Sequence, residues 1–432
     1  MRLSRREVLA GTGATVVAAA VPAWLLSRRL EGKLPAGRPE HVILVDWDGF
    51  DPDYLGRAPT PNLDALASRG SLSIAEGTFP TISNPSRASM STGAYPEVHG
   101  NAAYYFDGEI NEIVGETQFL AAETITEALS AEGRTTVSVQ WYMVQDHGTS
   151  YGDPEHLYVE PGGLFEKRVD AAIEILNLRP VNSGGKMVTV PKIPDFLAVY
   201  GVDLDAFGHA EGPEGLNIGP LLVELDRQLG RLVRATKEVG IYEQTAFILT
   251  SDHGMTTWDR SLAEELATIT VLGQRPQIAL PGRRPVSPDA EIVIVPSAGR
   301  VADITLRGRA ATPEGGEEVR AVLEGLPQIS RVFGAADLGA LHTSDKLGDF
   351  VVEAKAPWGF KLPEPEEGTS RGAHGSTREM KVPLLIAGAG IRVGATPKDA
   401  KLVDVAPTIA ALLGVRPPVD AQGRVLAEAL NV

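Results

Sequence analysis

A carboxylate and an imidazole stand side by side at Asp252 and His253, directly after the apolar run 246–249. The run is too short for a helix and is followed at once by polar residues and glycine, which predicts a buried strand. In an open α/β sheet, ligands collect in the crevice at the carboxyl ends of the strands. Aspartate oxygen and histidine nitrogen suit Zn²⁺. Asp252 and His253 are therefore candidate metal ligands, although a capping aspartate beside a half-buried histidine would have the same sequence.

Three further segments have the same design, with polar residues in glycine-flanked turns. Asp48 follows the apolar run that begins at His41, and Asp205 and His209 follow the run that begins at Phe196. His374 lies in the segment Gly-Ala-His-Gly. With Asp252 and His253, these residues offer enough oxygen and nitrogen ligands for two zinc ions. Two cations roughly 3.5–4 Å apart would activate an oxygen nucleophile and bind a phosphoryl group.

The segment Ser83-Asn84-Pro85-Ser86-Arg87 supplies a candidate nucleophile. Pro85 suits the first turn of a helix, with Ser83 or Asn84 at the N-cap. That end of a helix attracts phosphate, and a metal could lower the pKa of a serine hydroxyl placed there. Arg87, one turn along, can pair with a phosphate oxygen. The simpler interpretation is a capping serine and a solvated surface arginine.

Positioning these residues requires a sheet whose strands alternate with helices. The predicted strands begin at His41, Thr135, Phe196, Ala246 and Val382, and the predicted helices cover residues 60–70, 124–133, 164–178, 221–239 and 404–413. This alternation is typical of an α/β/α sandwich around a mostly parallel sheet. Trp141, Tyr142 and His147 are candidates to line the cleft.

Proline and glycine become dense between residues 257 and 372, where short strand-like segments surround one helix. We interpret residues 257–372 as a smaller α+β cap insertion. The catalytic α/β domain would then comprise residues 40–256 and 373–432.

The first thirty residues predict an export signal. Arg5 and Arg6 precede the apolar run 10–26, which has the length of a signal segment or a marginal membrane span. Small residues near its end allow cleavage, and two further arginines leave an uncleaved membrane anchor open. We therefore expect a twin-arginine signal or anchor over residues 1–30, a linker over residues 31–39, and a periplasmic, extracellular or outward-facing membrane-anchored protein.

The composition excludes several classes of function. A formal net charge of −16 argues against a nucleic-acid backbone as a general partner. The chain has no cysteine, so thiolate zinc sites, disulfides and a catalytic cysteine are impossible. The expected partner is a small phosphate-ester substrate, and the oligomeric state stays open.

In the order of its motifs the chain resembles the alkaline phosphatase superfamily, in particular its type I phosphodiesterase/nucleotide pyrophosphatase branch, over about residues 40–430. The similar segments include Val-Asp-Trp-Asp48-Gly, Thr60-Pro-Asn-Leu-Asp, Asp205-Ala-Phe-Gly-His209, Ser-Asp252-His253-Gly, Gly-Ala-His374-Gly and Val403-Asp-Val-Ala-Pro-Thr. The resemblance implies that one zinc is held by Asp48, Asp252 and His253 beside the Ser83 nucleophile, which would also contact the metal. It implies that Asp205, His209 and His374 hold the second zinc.

The nucleophile segment departs from this branch. Phosphodiesterase relatives usually have threonine followed by Phe-Pro-Asn-His, so Ser86 stands where they have the phosphate-binding asparagine. The Asn-Pro pair is more similar to phosphonoacetate hydrolases, which cleave a C–P bond. Asn84, Ser86 and Arg87 are the candidate substrate-binding residues.

The sequence therefore predicts a zinc-dependent hydrolase of phosphate esters that acts through a phosphoserine and favours phosphodiester or pyrophosphate bonds. A phosphomonoesterase and a phosphonoacetate hydrolase-like enzyme remain open, because the superfamily shares its metal site among many substrates. A sulfatase also remains open, since Ser83-x-Pro-x-Arg87 fits the motif that sulfatases convert to formylglycine; Asp205, His209 and His374 fit two zinc ions better. The non-enzyme alternative is an inactive metal-binding scaffold, which a complete ligand set with a hydroxyl argues against.

Replacing both Arg5 and Arg6 by lysine should retain the protein in the cytoplasm, because the export receptor reads the arginine pair. Cell fractionation followed by immunoblotting measures the outcome. Unchanged export of the double variant would show that another route is used.

Overall fold

The computed structural model describes residues 37–115, 117–280 and 285–431. The predicted twin-arginine segment, and the predicted linker up to residue 36, lie outside the described residues. Among the described residues, no helix has the length and apolar character needed to cross a membrane.

The described strands are β1 (His41–Trp47), β2 (Gly70–Glu76), β3 (Tyr105–Asp107), β4 (Glu112–Val114), β5 (Thr136–Val139), β6 (His156–Val159), β7 (Val181–Ser183), β8 (Lys186–Val188), β9 (Phe196–Gly201), β10 (Thr245–Thr250), β11 (Thr256–Trp258), β12 (Arg260–Ser261), β13 (Gln277–Ile278), β14 (Ile292–Ser297), β15 (Val301–Leu306), β16 (Ile329–Phe333), β17 (Phe350–Ala354), β18 (Trp358–Gly359), β19 (Arg371–Ala373) and β20 (Lys381–Gly388). The described α-helices are α1 (Pro61–Ala67), α2 (Ser83–Thr92), α3 (Pro96–His99), α4 (Ile125–Ala131), α5 (Phe165–Leu176), α6 (Asp203–Glu211), α7 (Ile218–Glu238), α8 (Ala263–Thr268), α9 (Pro313–Glu324), α10 (Ala335–Ala340) and α11 (Val405–Leu413).

A seven-stranded sheet in the order β2-β20-β10-β1-β9-β5-β6 forms the centre of the molecule. The strands from β10 to β6 are parallel to one another, whereas β20 is antiparallel to both of its neighbours, β10 and β2. Helices α1, α5 and α7 contribute to the apolar cluster on one face, and α2, α4 and α11 contribute to the cluster on the other. The predicted α/β/α sandwich around a mostly parallel sheet is confirmed.

Strand β1 is buried on both faces and alternates between them, as a central strand must. Ile43 and Val45 join the cluster that includes α5 and α7, whereas Val42 and Leu44 join the cluster that includes α2. By the same alternation, Asp46 belongs to the α2 face. This alternation places the Asp46 carboxylate against α2, which carries Ser83 and Arg87.

Two local predictions near the site are wrong. Ser83 is the first residue of α2, and the N-cap is Ile82, so neither Ser83 nor Asn84 is the cap. Asp205 and His209 were expected in the loop after β9, but they lie on α6. No proline or positive-φ residue interrupts the chain until Gly212, at φ +80°, so the segment can form two helical turns.

Residues 257–372 contain a second sheet of five strands in the order β13-β14-β15-β17-β16. Its apolar cluster includes residues of α9, such as Val319 and Leu323. Strand β11 pairs with β19 on either side of this part of the chain, with Thr256 opposite Ala373. The chain therefore leaves and re-enters the main domain at neighbouring points, and the boundaries of the cap stay a prediction.

Candidate active site

Three adjacent strands place the aspartates of the site together. Asp48 follows β1, Asp205 lies in the first turn of α6 after β9, and Asp252 follows β10. Because β9, β1 and β10 are parallel neighbours, their carboxyl ends meet at one edge of the sheet. The pairing of β11 with β19 then places His374 beside His253, and their rings stack with centroids 3.6 Å apart.

Each of the three histidines is oriented by a backbone carbonyl. The Nδ1 atoms of His253, His209 and His374 lie 2.9, 2.8 and 2.7 Å from the carbonyl oxygens of Gly254, Gly372 and Thr81. A carbonyl can only accept, so each Nδ1 carries the proton and each Nε2 of the neutral ring keeps a lone pair. Metal-binding histidines are oriented in this way.

The three Nε2 atoms converge on one carboxylate oxygen. Asp205 Oδ1 lies 3.2 Å from His209 Nε2, 3.7 Å from His374 Nε2 and 3.9 Å from His253 Nε2. His253 Nε2 also lies 3.4 Å from Asp48 Oδ1 and 3.3 Å from Asp252 Oδ2. All six predicted aspartate and histidine ligands are therefore brought together.

The donor set fits cations. Two groups have ligand atoms within 4.8 Å of one another, namely Asp48, Asp252 and His253, and Asp205, His253 and His374. Within the described chain, Asp48 Oδ1 and Asp205 Oδ1 are buried without a hydrogen-bond donor, and Asp252 Oδ2 has only an ion-pair contact with Arg87 at 3.1 Å. Carboxylate oxygens left in this state are costly unless a cation satisfies them.

The electrostatics of the site lead to the same conclusion. Burial raises the pKa of Asp252 to about 7, against the opposing charge of Arg87, and Asp48 raises it further. Burial lowers the pKa of His374 well below its usual value, and the neighbouring His253 and His209 lower it further. A neutral imidazole beside carboxylates whose charge Arg87 offsets only in part is the state that binds a divalent cation.

Ser83 lies at the edge of this cluster. Its Oγ is 3.2 Å from His253 Nε2, and it begins α2, a helix of 10 residues. The first N–H groups of a helix have no partner within it and favour an anion. The arrangement can therefore place a hydroxyl and a phosphoryl group beside the same cations.

The prediction that Arg87 contacts the substrate is wrong, as is its alternative as a solvated surface arginine. Arg87 is fully buried. Its Nε donates to Asp46 Oδ2 at 2.7 Å, while Nη2 and Nη1 lie 2.9 and 3.1 Å from Asp48 Oδ2 and Asp252 Oδ2. The reason is the alternation of side chains along β1, which directs Asp46 to the face of the sheet that α2 covers.

Of the other two predicted substrate-binding residues, Asn84 lines the cleft and Ser86 does not. Ser86 is fully buried and is not among the residues that line the cleft, so that prediction is wrong. Asn84 does line the cleft. Its amide is held by the Thr117 carbonyl at 2.7 Å and by the Tyr142 hydroxyl at 3.0 Å. A substrate contact by Asn84 stays a prediction.

Tyr200, at the end of β9, orients a ligand and had no signal in the sequence beyond its place at a strand end. Its hydroxyl donates to Asp48 Oδ2 at 2.6 Å. The guanidinium groups of Arg87 and Arg168 lie over its ring, 4.4 and 4.5 Å from the centroid. Asp48 is therefore held through one oxygen, while the other faces His253.

A cleft of about 920 Å³ opens onto the cluster. The main domain lines it with Ser83, Asn84, Asp48, Asp205, His209, His374 and the tyrosines Tyr104, Tyr142, Tyr158 and Tyr200, among others. The insertion contributes Leu280, Pro296, Ala298, Phe360, Lys361 and Leu362. Of the other candidates, Trp141 is buried and donates to Asp46 Oδ2 at 3.1 Å, and His147 faces Glu127 at 3.6 Å.

This fold is alkaline phosphatase-like, and the cluster at the carboxyl ends of its strands is a candidate metal centre. The sequence profile of the type I phosphodiesterase/nucleotide pyrophosphatase family matches residues 42–377, and the chain belongs to this family. The predicted membership is confirmed, and with it the hydrolase class of enzyme.

Similar proteins with known names support membership of this family. A bis(5'-adenosyl)-triphosphatase enpp4 of Xenopus laevis is 30% identical over 224 residues, 50% of this chain and 47% of that protein, so this match spans about half of each. The ENPP4 protein of Pongo abelii, with the same description, is 25% identical over 88% of this chain and 79% of its own. The structure of human ectonucleotide pyrophosphatase/phosphodiesterase 5 covers 91% of this chain and 100% of its own with a TM-score of 0.70 at 22% identity, and shares the fold.

Replacing Arg87 by methionine should destabilise the metal-free protein by roughly 3–5 kcal/mol, because buried carboxylates lose their counter-charge. Added Zn²⁺ should reduce this loss, since the cations neutralise the same oxygens. Urea unfolding with a chelator and with zinc measures both quantities. Arg331→Met, which removes an exposed pair with Asp337, is the control and should cost less than about 1 kcal/mol. Equal effects of the two variants would contradict the role assigned to Arg87.

Proposed function

We propose that this chain is a zinc-dependent phosphodiesterase or nucleotide pyrophosphatase with Ser83 as its nucleophile. The observation that carries the proposal is the position of Ser83 Oγ, 3.2 Å from His253 Nε2, within one cluster of carboxylates and imidazoles. A hydroxyl placed beside six candidate ligands at the floor of a cleft is arranged for phosphoryl transfer. Helix capping alone would not require such surroundings.

Asp48, Asp252 and His253 would hold one zinc, and Asp205, His209 and His374 would hold the other. Imidazole and carboxylate ligands are typical of zinc in hydrolases, and the chain has no cysteine that would favour a purely structural site. When bound, the ions would lower the pKa of the serine hydroxyl and neutralise charge on the phosphoryl oxygens.

The chain's own residues support a two-step reaction. Ser83 Oγ attacks phosphorus and loses its proton to water, the leaving oxygen departs with the electron pair of its bond, and a phosphoserine forms. Water then attacks the phosphoserine, and Ser83 recovers a proton as the phosphate or monoester leaves. The first N–H groups of α2 favour the anion during both steps.

A nucleotide is the substrate class that the cleft supports. Its volume of about 920 Å³ suits a small molecule. Four tyrosines line it, and two of them, Tyr104 and Tyr142, are only partly buried and can offer aromatic surface to a nucleobase. Two relatives are named as bis(5'-adenosyl)-triphosphatases, and the murine member 5 was solved as an inactive threonine-to-alanine variant in complex with AMP, with a TM-score of 0.68 at 20% identity.

We also propose that the enzyme acts outside the cytoplasm, where extracellular nucleotides would be its substrates. The support is the arginine pair and apolar run within residues 1–30. Twin-arginine export carries folded proteins, which suits an enzyme that must acquire its metals before crossing the membrane.

Ser83→Ala should lower turnover by roughly a thousandfold or more, because a covalent nucleophile is removed. The bound metal should stay unchanged, since the carboxylates and imidazoles remain. The matched control is Ser91→Ala on the same helix, where the hydroxyl only donates to the Ala88 carbonyl at 3.1 Å. Turnover of a nitrophenyl diester and metal content by mass spectrometry are the measurements. Normal turnover by Ser83→Ala would exclude Ser83 as the nucleophile.

Diesters should be preferred over monoesters. A terminal phosphate carries one more negative charge, and Arg87, the arginine closest in sequence to Ser83, is already neutralised by three aspartates. The test compares kcat/KM for bis-p-nitrophenyl phosphate, p-nitrophenyl phosphate, p-nitrophenyl sulfate and phosphonoacetate. A monoester preference above about tenfold, roughly 1.4 kcal/mol, would overturn the proposed preference. Dominant turnover of the sulfate would indicate a sulfatase, and dominant turnover of phosphonoacetate would indicate a phosphonoacetate hydrolase-like enzyme.

A further inference from the structure

Lys361 is a cation that the insertion contributes to the cleft. It follows β18 and is half-buried between Phe360 and Leu362, which line the cleft with it. Its aliphatic stem passes close to Gly299, where an added Cβ would lie 3.1 Å from Lys361 Cδ. The absence of a side chain at residue 299 therefore leaves room for the lysine to extend toward the metal-ligand cluster.

Within the described ranges of the chain, the ammonium group of Lys361 makes no direct ion pair, although the charge of Asp205 acts on it from a greater distance. Its contact is with His209, whose Nδ1 lies 3.5 Å from Lys361 Nζ. That Nδ1 carries a proton donated to the Gly372 carbonyl at 2.8 Å, so it cannot accept a hydrogen bond from the lysine. A partly buried cation without an acceptor is costly unless an anion is supplied from outside.

The position of Lys361 relative to Ser83 decides which part of a substrate it meets. Ser83 contacts His253, and His253 Nε2 lies 3.9 Å from Asp205 Oδ1. Asp205 in turn contacts His209, which contacts Lys361. Ser83 and Lys361 therefore contact different histidines of the ligand cluster, and both line the same cleft. In an in-line displacement the leaving group departs on the side opposite the attacking oxygen.

We propose that Lys361 is a specificity-determining residue that binds an anionic leaving group, so that pyrophosphate bonds are cleaved in preference to diesters with an uncharged leaving group. This inference rests on the proposed function and adds the substrate class within it. The Ser83 Oγ–P bond forms and the P–O bond to the leaving phosphate breaks. The electron pair stays on the departing phosphate oxygen, and the serine proton passes to water. Lys361 offsets the charge of the departing phosphate.

The test uses two substrates that release the same product. Thymidine 5'-triphosphate and the p-nitrophenyl ester of thymidine 5'-monophosphate both yield thymidine monophosphate, but only the first has a leaving group that is charged before cleavage. Lys361→Met keeps the volume and removes the charge. It should lower kcat/KM for the triphosphate by about 10- to 100-fold, the scale of a charge-assisted contact, and for the ester by less than about threefold.

Matched variants separate specificity from a structural role. Lys361→Arg keeps the charge and should retain most of the triphosphate preference. Lys355→Met, on an exposed lysine of the insertion, should change neither substrate. Bound metal should be the same in all variants.

Two results would overturn the role of Lys361. One is an unchanged kcat/KM for the triphosphate in Lys361→Met. The other is an equal loss for both substrates, with or without loss of metal, which would show that Lys361 only positions His209. Wild-type protein that cleaves neither substrate would instead refute the proposed function, and this inference with it.

Discussion

The compensation of negative charge at one edge of the sheet is the constraint on which the rest of the site depends. Three aspartates, Asp46, Asp48 and Asp252, pair with one arginine, Arg87, and a fourth, Asp205, lies 3.9 Å from the His253 ring beside them, so the carboxylates of the site outnumber this guanidinium. Uncompensated charge away from water is among the most costly features a fold can contain. The histidines cannot offset it fully, because burial keeps the pKa of His374 low and its ring stacks on His253. Divalent cations are the compensation that this donor set accepts.

The topology of the sheet creates that concentration of charge and also makes it useful. Parallel strands β9, β1 and β10 bring three aspartates to one edge, and the pairing of β11 with β19 adds His374 from a distant part of the chain. Glycine at residue 372 permits the close approach of this segment to α6, since an added Cβ would collide with the Gly208 carbonyl. The same backbone then orients His209 through the Gly372 carbonyl. Ligand position and fold are therefore set by the same contacts.

Much of this could be predicted from the sequence because the signals are local. Asp48, Asp252 and His253 each follow an apolar run and adjoin glycine, which indicates a strand end in an α/β protein. The helix that carries Asp205 and His209 is not predicted, because polar residues and glycine directly after an apolar run indicate a loop. Their i, i+4 spacing, which puts both residues on one face of a helix, is the signal in the sequence that indicates this helix.

The roles of Arg87 and Lys361 could not be predicted because they depend on long-range packing. Arg87 looks like a surface residue until the alternation of β1 shows that Asp46 faces α2. Lys361 lies in a segment rich in proline and glycine with no motif around it, and only the return of the insertion over the cleft brings it to His209. Arg87 binds Asp46, 41 residues away in the chain, and Lys361 contacts His209, 152 residues away. Contacts over such separations produce no periodic pattern in a single sequence.

The most direct test of the central claim is the location and number of zinc ions in crystals of the purified enzyme, measured by anomalous scattering on both sides of the zinc absorption edge. The account predicts two zinc peaks per chain, one among Asp48, Asp252 and His253 and the other among Asp205, His209 and His374, with Arg87 still bound to Asp46. A single peak, peaks remote from these side chains, or full turnover by protein that carries no metal would contradict it.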